Sequence, residues 1–519
     1  MTVGRNKIVA VLGALVLALT ACGSDGEPGE PVTLDDLLVE EDPMTELGAA
    51  VEPGPTEAAE PTSMAELEAV WADNRARTVE RIEANGWGVD PATGVLSGPG
   101  GFTVDLGACP QDWDPTAGIT AGSISIGQTV PLTGPVAGAG YLSRSMEEYY
   151  AHVNEQGGIG GRELLLTVTD DEYVPARTVT AVREMVAADL FAISMLGSSN
   201  VLAVYEDLNR RCIPQPFVIT GHPAWGDPLG HPWTTPSMLP YSTEALLWAN
   251  WIVEQLDPGL TVGAVVMDNE MGRAYEATVR DYAASADGAF EFVSERHDAA
   301  AGSPVGDAVA AVAAHEPDVL LAMTTGDFCP AVLDAAAAQG LVVGDGLDAG
   351  FVVGTCKDVE RYMTPDGSPG AGDGWLVAGG GIRQLSQPDF AGSVFGRFIG
   401  SLLDDAGLDH TTHVELGNGF FYAWAWVEAL RIADELEGGL TRPNLLLALR
   451  AMDLEHPMLL HGISFSMDGN SDVFPVEGSG FSVFEAGPGE PGWRQLGGVI
   501  DLDGTTRRCA YDPVTGLCG

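Results

Sequence analysis

Apolar and polar positions along the chain follow two periods in turn, and the switch between them marks out the first readable unit. Ile124, Ile126 and Val130 alternate with small or polar neighbours, as in a strand, until Leu132-Thr133-Gly134-Pro135 breaks the pattern. Gly138 and Gly140 then leave backbone N–H groups uncovered just before a helix. From Tyr141 the apolar residues Leu142, Met146, Tyr149, Tyr150 and Val153 recur at helical spacing, and Gly157-Gly158-Ile159-Gly160-Gly161 ends the helix with residues that tolerate positive φ. Leu164 to Val168 is almost continuously apolar, which suits a parallel strand covered on both faces. The pattern predicts a βαβ unit whose loop is built to touch a ligand.

The alternation continues downstream. Phe191 to Leu196 predicts a strand that runs into Gly197-Ser198-Ser199-Asn200 and a helix through Leu208. Phe217 to Thr220 predicts the next strand, opening into Gly221-His222-Pro223-Ala224-Trp225. A helix from Thr243 to Leu256 leads to a strand from Val262 to Met267 and the loop Asp268-Asn269-Glu270-Met271-Gly272. Helix 273–286, strand Phe290 to Val293, helix 305–314, strand Val319 to Met323 and helix 330–339 complete the series. Repeated βα units of this kind predict an α/β protein with doubly wound sheets, whose ligands sit at the carboxyl ends of strands.

The N-terminal part reads differently. Ala65 to Ala84 is one amphipathic helix, and Gly86 to Leu106 predicts a hairpin around the turn Asp90-Pro91-Ala92-Thr93-Gly94; together they form an accessory module over 63–121. Apolar helix faces seek a core, so packing on the flank of a lobe is its expected role. Residues 22–62 are rich in Glu, Asp, Pro and Gly, the composition of a disordered acidic linker. Arg5 and Lys7 precede an apolar run from Ile8 to Leu19, closed by Leu19-Thr20-Ala21-Cys22 and followed by Gly23-Ser24-Asp25-Gly26. This resembles a bacterial lipoprotein signal over residues 1–21, with diacylglycerol on the sulfur of Cys22. The run is shorter than the roughly 20 residues a membrane span needs. The expected product is a body outside the cytoplasmic membrane, anchored to it by an N-terminal lipid.

Charge and cysteines refine the picture. The formal charge of −50 becomes −52 once Arg5 and Lys7 leave with the signal, which argues against nucleic acid as a partner. Lys7 and Lys357 are the only lysines of the chain. With Cys22 lipidated, six of the seven cysteines remain for an oxidising compartment, so three disulfides are expected. Cys509 and Cys518 flank a turn-rich segment, Cys329 and Cys356 close successive strand-to-helix connections, and Cys109 and Cys212 are then left to pair. A zinc site is disfavoured because no CxxC is present.

The order Pro131-Leu132-Thr133-Gly134-Pro135, helix, Asn154 to Arg162, apolar strand, Asp170-Asp171-Glu172-Tyr173-Val174-Pro175 resembles the first lobe of the branched-chain amino-acid (Leu/Ile/Val) type of ABC-transporter solute-binding proteins, the type I periplasmic-binding-protein family. The resemblance is traceable from about Gly122 to Gly487. It implies two lobes, each a doubly wound sheet, joined by three crossings. Lobe one would span 122–242 with 377–460, and lobe two 243–376 with 461–487; the last crossing is placed at Gly462 to Ser466 and its Asp468-Gly469 turn. Residues 488–519 would form a disulfide-closed tail.

It also implies where a solute would sit. In lobe one the candidates are Ala139 and Tyr141, Ser198 and Ser199 at a helix N-terminus that favours an oxyanion, and Gly221 with His222, whose imidazole adds a titrating donor. In lobe two they are Asn269 and Glu270 for polar groups, then Thr325, and Phe328 to cover an apolar portion. Phe420, with Phe421 and Tyr422, opens a helix and can add an aromatic wall, although burial is the commoner fate of such residues. Two departures stand out. Amino-acid binders of this family hold the ammonium group with an acidic residue near what is here Gly354-Thr355-Cys356, where only Asp358 is acidic, and Gly138-Ala139-Gly140 replaces an aromatic. The resemblance implies no cofactor, and an ABC permease as the membrane partner. A receptor of the same fold that senses or docks without delivering solute is the alternative.

Enzyme chemistry finds no support. There is no GxSxG elbow, Walker loop or HExxH, and Ser143 stands where a dinucleotide fingerprint requires glycine. Asp170, Asp171 and Glu172 read as helix-capping or solvated carboxylates. His410 and His413 offer two metal ligands with no third, so no metal is expected.

Overall fold

The computed structural model describes residues 61–519 except 135, 286–289, 301, 365–370, 411–412, 488–490, 501, 505, 507, 513–516 and 519. The signal-like segment, Cys22 and nearly all of the acidic linker therefore lie outside the described residues. Among the described residues no helix is long and apolar enough to cross a membrane.

The accessory module begins with α1 (Met64–Ala84), capped by the Ser63 hydroxyl on the Glu66 amide. Trp71, Asn74, Thr78 and Ile82 form its buried stripe, at the spacing of one helix face. Gly86 to Leu106 forms three antiparallel strands, β1 (Gly88–Asp90), β2 (Val95–Ser97) and β3 (Thr103–Asp105), where the sequence pattern had predicted a two-stranded hairpin. The Asp90 carboxylate holds the first turn through Ala92 N at 2.8 Å and Thr93 Oγ1 at 2.9 Å. A second reversal at 98–102, too short in apolar signal to be read from sequence, adds the third strand.

Lobe one opens with β4 (Ser123–Val130), α2 (Tyr141–Glu155), β5 (Glu163–Asp170), α3 (Pro175–Ala187) and β6 (Ile193–Met195). β5, β4 and β6 pair in parallel, and a Leu196–Ile219 bridge leads on to β7 (Gln215–Val218), beside β8 (Thr234–Pro236). Two short helices, α4 (Ser198–Leu202) and α5 (Tyr205–Arg210), lie between β6 and β7.

Lobe two follows with α6 (Tyr241–Gln255), β9 (Leu260–Met267), α7 (Glu270–Ser285), β10 (Phe290–His297), α8 (Gly306–Ala313), β11 (Val319–Met323) and α9 (Phe328–Ala338). A small pair, β12 (Val342–Val343) and β13 (Gly346–Leu347), precedes β14 (Ala349–Val352) and β15 (Leu376–Val377). The chain then returns to lobe one for α10 (Pro388–Ala391), α11 (Val394–Asp405), α12 (Val414–Glu435), α13 (Arg442–Arg450), β16 (Asp453–Leu454) and β17 (Phe465–Ser466). It ends in lobe two with β18 (Ser479–Glu485) and β19 (Gly492–Ile500), and a terminal pair, β20 (Tyr511–Asp512) and β21 (Leu517–Cys518). The lobe-two sheet runs β10-β9-β11-β14-β15-β18-β19, parallel up to β15 and antiparallel beyond it.

Among the described residues three hydrophobic clusters form: a large one and a smaller one, around Met185, Ile193, Leu208 and Trp225, in lobe one, and a third in lobe two. The lobe-one core is centred on α12, apolar on every side because α1, α2 and α13 surround it. Trp71 of the module enters this core, 5.5 Å from the Trp424 ring and 5.7 Å from that of Phe395. Glu428, buried there, is paired with Arg75 at 2.6 Å and Arg431 at 3.0 Å. Disulfides join Cys109 to Cys212, fastening the module to lobe one, and Cys329 to Cys356 within lobe two. Cys509 is also disulfide-bonded; the side chain of Cys518 lies outside the described residues.

The last crossing falls later than the sequence reading placed it. Phe465–Ser466 pairs with Asp453–Leu454, and Ile463, Phe465, Met467 and Val476 belong to the lobe-one core. Residues 461–476 thus stay with lobe one, and the crossing runs through 477–478 into β18. Residues 492–500, expected in the tail, form the edge strand of the lobe-two sheet. In both places short alternating runs gave the strand but not its partner, which is a long-range choice.

Candidate functional site

A cavity lies between the lobes, where the carboxyl ends of both sheets meet the crossings. Lobe one contributes Val136, Ala139 and Leu142 from the β4–α2 connection, and Leu196, Gly197 and Ile219 from the ends of β6 and β7. Glu415, Asn418, Phe421 and Tyr422 come from the first turns of α12, and Tyr173 from the β5–α3 loop. Lobe two contributes Met271 and Tyr275 of α7, Thr325 and Gly326 after β11, and Gly354, Thr355, Lys357, Asp358 and Tyr362 after β14. Leu239, Tyr241, Glu244, Gly379 and Gly380 line it from the crossings and the start of α6.

Tyr173 reaches the cavity because its loop is bent into an unusual conformation. Glu172 and Tyr173 have φ of 52° and 60°, and the bend is held by the buried Asp171 carboxylate. That carboxylate accepts from Tyr173 N at 3.0 Å, Thr178 Oγ1 at 2.9 Å and Asn200 Nδ2 at 3.0 Å. Asp170 secures the opposite loop through Leu132 N and Thr133 Oγ1, at 2.9 and 2.7 Å, so these carboxylates act as loop clamps. The Tyr173 ring lies on Gly197, where a Cβ would come within 2.4 Å of it and where φ is +96°. Only glycine satisfies both conditions.

Polar chemistry concentrates on the lobe-two side. Glu244, from the first turn of α6, points at the 354–358 loop: its Oε1 accepts from Gly354 N at 2.8 Å and its Oε2 from Tyr275 Oη at 2.5 Å. Burial raises its pKa to about 7, against the opposing effect of these hydrogen bonds and of the Lys357 charge. Tyr275 is in turn stacked between Trp248 and Tyr241, at 5.1 and 4.8 Å. Lys357 is 7 % exposed, and burial lowers its pKa to about 8. Its Nζ forms no hydrogen bond or ion pair among the described residues and lies beside Gly379. Thr355 Oγ1 and Asn418 Oδ1, both buried and both on the cavity lining, likewise have no hydrogen-bond partner.

The lobes also touch through charged groups. Burial, then the neighbouring Asp358 charge, raises the pKa of Glu415 to about 7; Glu415 belongs to lobe one and Asp358 to lobe two. Asp358 accepts from Arg361 N at 2.9 Å, and the Arg361 guanidinium pairs with Asp327 at 2.9 Å. That guanidinium lies against Gly138 of lobe one, where a Cβ would stand 1.6 Å from Nη1.

Residues 123–472 match the model of the periplasmic binding protein family. The chain belongs to this family. It is a solute-binding protein of the extracytoplasmic kind, with the two-lobed type I fold. No curated protein matches it in sequence. Among solved structures, a fatty acid ABC transporter substrate-binding protein from Thermomonospora curvata is similar with TM-score 0.61 and 19 % identity, over 77 % of this chain and 98 % of that one. A branched chain amino acid ABC transporter protein from Thermus thermophilus with bound valine has TM-score 0.60 and 19 % identity, over 73 % and 97 %. A solute binding protein from Rhodopseudomonas palustris BisB5 in complex with 3,4-dihydroxybenzoic acid has TM-score 0.59 and 16 % identity, over 73 % and 98 %. At these identities the likeness is one of fold.

Of the residues singled out from sequence, Ala139 and Thr325 line the cavity of this binding protein. The others are placed elsewhere. Ser198 is buried behind the wall, its Oγ 2.7 Å from Thr220 Oγ1, and Gly197 rather than a serine caps the five-residue α4, with Ser199 half-buried in it. Gly221 packs against Tyr241 and the Leu239 carbonyl, while His222 is fully buried, accepts from Ala224 N at 3.2 Å, and is driven to a pKa of about 3 by burial. Tyr141 stacks on His413 at 3.9 Å. Asn269 caps Gly272 N at 3.0 Å, and Glu270 pairs with Arg273 at 2.8 Å. Phe328 packs on His297, and Phe420 turns into the core against Tyr149. His410 lies 3.8 Å from Asp404, apart from the cavity. Which side chains face inward is set by helical phase: Phe421 and Tyr422 line the cavity where Phe420 does not. Tyr173, Tyr241, Glu244, Tyr275, Lys357 and Asn418 were missed, and only Lys357, alone in its residue type after Lys7, carried a sequence signal.

Proposed function

We propose that the protein is a lipid-anchored receptor that captures a small polar organic solute between its lobes and presents it to an ABC permease. The solute is of amino-acid, amide or carboxylate type. The observation that carries this reading is the cavity itself: both lobes and the crossings line it, with Lys357 on the lining and with Thr355 Oγ1 and Asn418 Oδ1 without a hydrogen-bond partner among the described residues. Buried polar groups left unsatisfied are costly, and a solute with complementary groups removes that cost. The tyrosine, leucine and methionine walls supply apolar contact for the rest of the molecule. Because loops of both lobes are needed, the solute stabilises the closed arrangement by its differential affinity.

A carboxylate does stand at the 354–356 loop: Glu244, from the first turn of α6, accepts there from Gly354 N at 2.8 Å. The lipid anchor at Cys22 rests on the signal-like N-terminus. The test is a thermal-shift screen of the chain from Cys22 onward against amino acids, amides, short carboxylates and aromatic acids. A binding class should raise the midpoint in a concentration-dependent way, by about 2.7 kcal/mol of stabilisation at a hundredfold excess over Kd. A folded protein indifferent to every class refutes the reading.

A further inference from the structure

The 354–358 loop is fixed before any solute arrives. The Cys329–Cys356 disulfide ties it to α9, the Glu244 carboxylate holds Gly354 N at 2.8 Å, and Trp493 Nε1 donates to the Lys357 carbonyl at 2.7 Å. From this loop the Lys357 side chain runs along Gly379 of the second crossing to the cavity lining, 7 % exposed. A buried ammonium is expensive unless an acceptor meets it. The charged group whose field it feels, Glu244, does not meet it: the Glu244 oxygens turn to Gly354 N and Tyr275 Oη, and the two side chains form no ion pair among the described residues. Thr355 Oγ1, two residues away on the same loop and also on the lining, is a second donor with no partner. Two donors that meet no acceptor among the described residues therefore stand on one rigid loop at the lobe-two wall.

We infer that Lys357, assisted by Thr355, is the anchor for an anionic end of the solute, a carboxylate or a chemically similar oxyanion. The inference rests on the reading of the interlobe cavity as the solute site, and narrows it to solutes that carry such an end. It gives the solute a direction: the oxyanion lies toward lobe two and the crossings, and the lobe-one side meets the remainder with Asn418 Oδ1, Glu415 and the Phe421 and Tyr422 rings.

The experiment compares matched acids and amides on the chain from Cys22 onward: phenylacetate with phenylacetamide, hexanoate with hexanamide, and L-phenylalanine with L-phenylalaninamide, by thermal shift and titration calorimetry. In the native protein each acid that binds should bind at least about tenfold more tightly than its amide, as a charge-assisted bond lost from a buried site implies. Lys357→Met should remove that preference by weakening acid binding far more than amide binding, whereas Lys357→Arg should keep a preference for the acid, and Thr355→Val should weaken acid binding by a smaller factor. Lys357→Met removes a buried charge, so its unliganded midpoint should equal or exceed the native one; a lower midpoint with lost near-UV signal would shift the decision to the Arg and Val variants. Equal affinity for acid and amide, or acid binding untouched by Lys357→Met, overturns the inference while the receptor reading stands. Stabilisation by neutral or cationic solutes alone does the same. A folded protein that responds to no probe of any charge overturns both.

Discussion

At the scale of single residues, buried groups that titrate far from their usual range set how stability responds to pH. His222 and His456 are both held at a pKa of about 3, chiefly by burial, against an ordinary value of 6.5. The unfolded chain therefore binds protons that the native state refuses. The stability these residues contribute is complete above pH 6.5 and is lost as pH falls toward 3, on the order of 1 kcal/mol per pH unit for each. Asp472 has the opposite sign: burial, then the Asp503 charge, raises its pKa to about 7 from 3.8, so the native state keeps a proton that the unfolded chain releases. Its cost is absent below pH 3.8, grows through the window and is complete above about 7. Asp472→Asn should therefore raise the thermal midpoint at pH 8 and leave it unchanged at pH 3.5. Midpoints recorded across pH 3 to 8 check both signs, and an equal effect of Asp472→Asn at the two ends would refute the assignment.

At the scale of elements, the accessory module is held as part of lobe one. Trp71 is 3 % exposed among Trp424 and Phe395, Arg75 neutralises the fully buried Glu428, and Cys109–Cys212 closes a long loop across the joint. Trp71→Ala should cost about 3–5 kcal/mol, as large-to-small changes in cores do. Chemical denaturation should show that loss in a transition shared with the rest of lobe one; a separate, earlier transition of the module alone would mean that it packs independently. The helix was legible in sequence because its buried face repeats at helical spacing. The third strand of the module was not, since three residues between turns carry too short a pattern to separate a strand from a loop.

At the scale of the whole molecule, the two lobes meet where a glycine admits a guanidinium. Arg361 of lobe two occupies the place that a Cβ on Gly138 would take. Gly138→Val should hold the lobes apart, weaken solute binding by about tenfold, roughly 1.4 kcal/mol, and keep the radius of gyration large in the presence of solute. Small-angle scattering with and without a binding solute checks this, and closure equal to that of the native protein would show that Arg361 simply moves aside. The sequence marked Gly138 as a backbone-exposing position before a helix, which is a local property. That its neighbour is an arginine more than two hundred residues away was not local.

The division between the two kinds of knowledge follows from range. The sequence by itself determined the βα series, the resemblance to a two-lobed receptor, and the loops that end the strands, because hydrophobic period, glycine and proline act over a few residues. The tertiary structure decided which side chains of those loops face the cavity, since a shift of one position on α12 exchanges Phe420 for Phe421. It decided that the chain leaves lobe one only after Val476, because strand pairing is settled by partners and not by pattern. And it placed the Glu244 carboxylate at the Gly354 amide, 110 residues along the chain, and close enough to Lys357 for its charge to act on the ammonium. Proximity of that kind is made by packing the two sheets around one cleft, and no local pattern in the sequence encodes it.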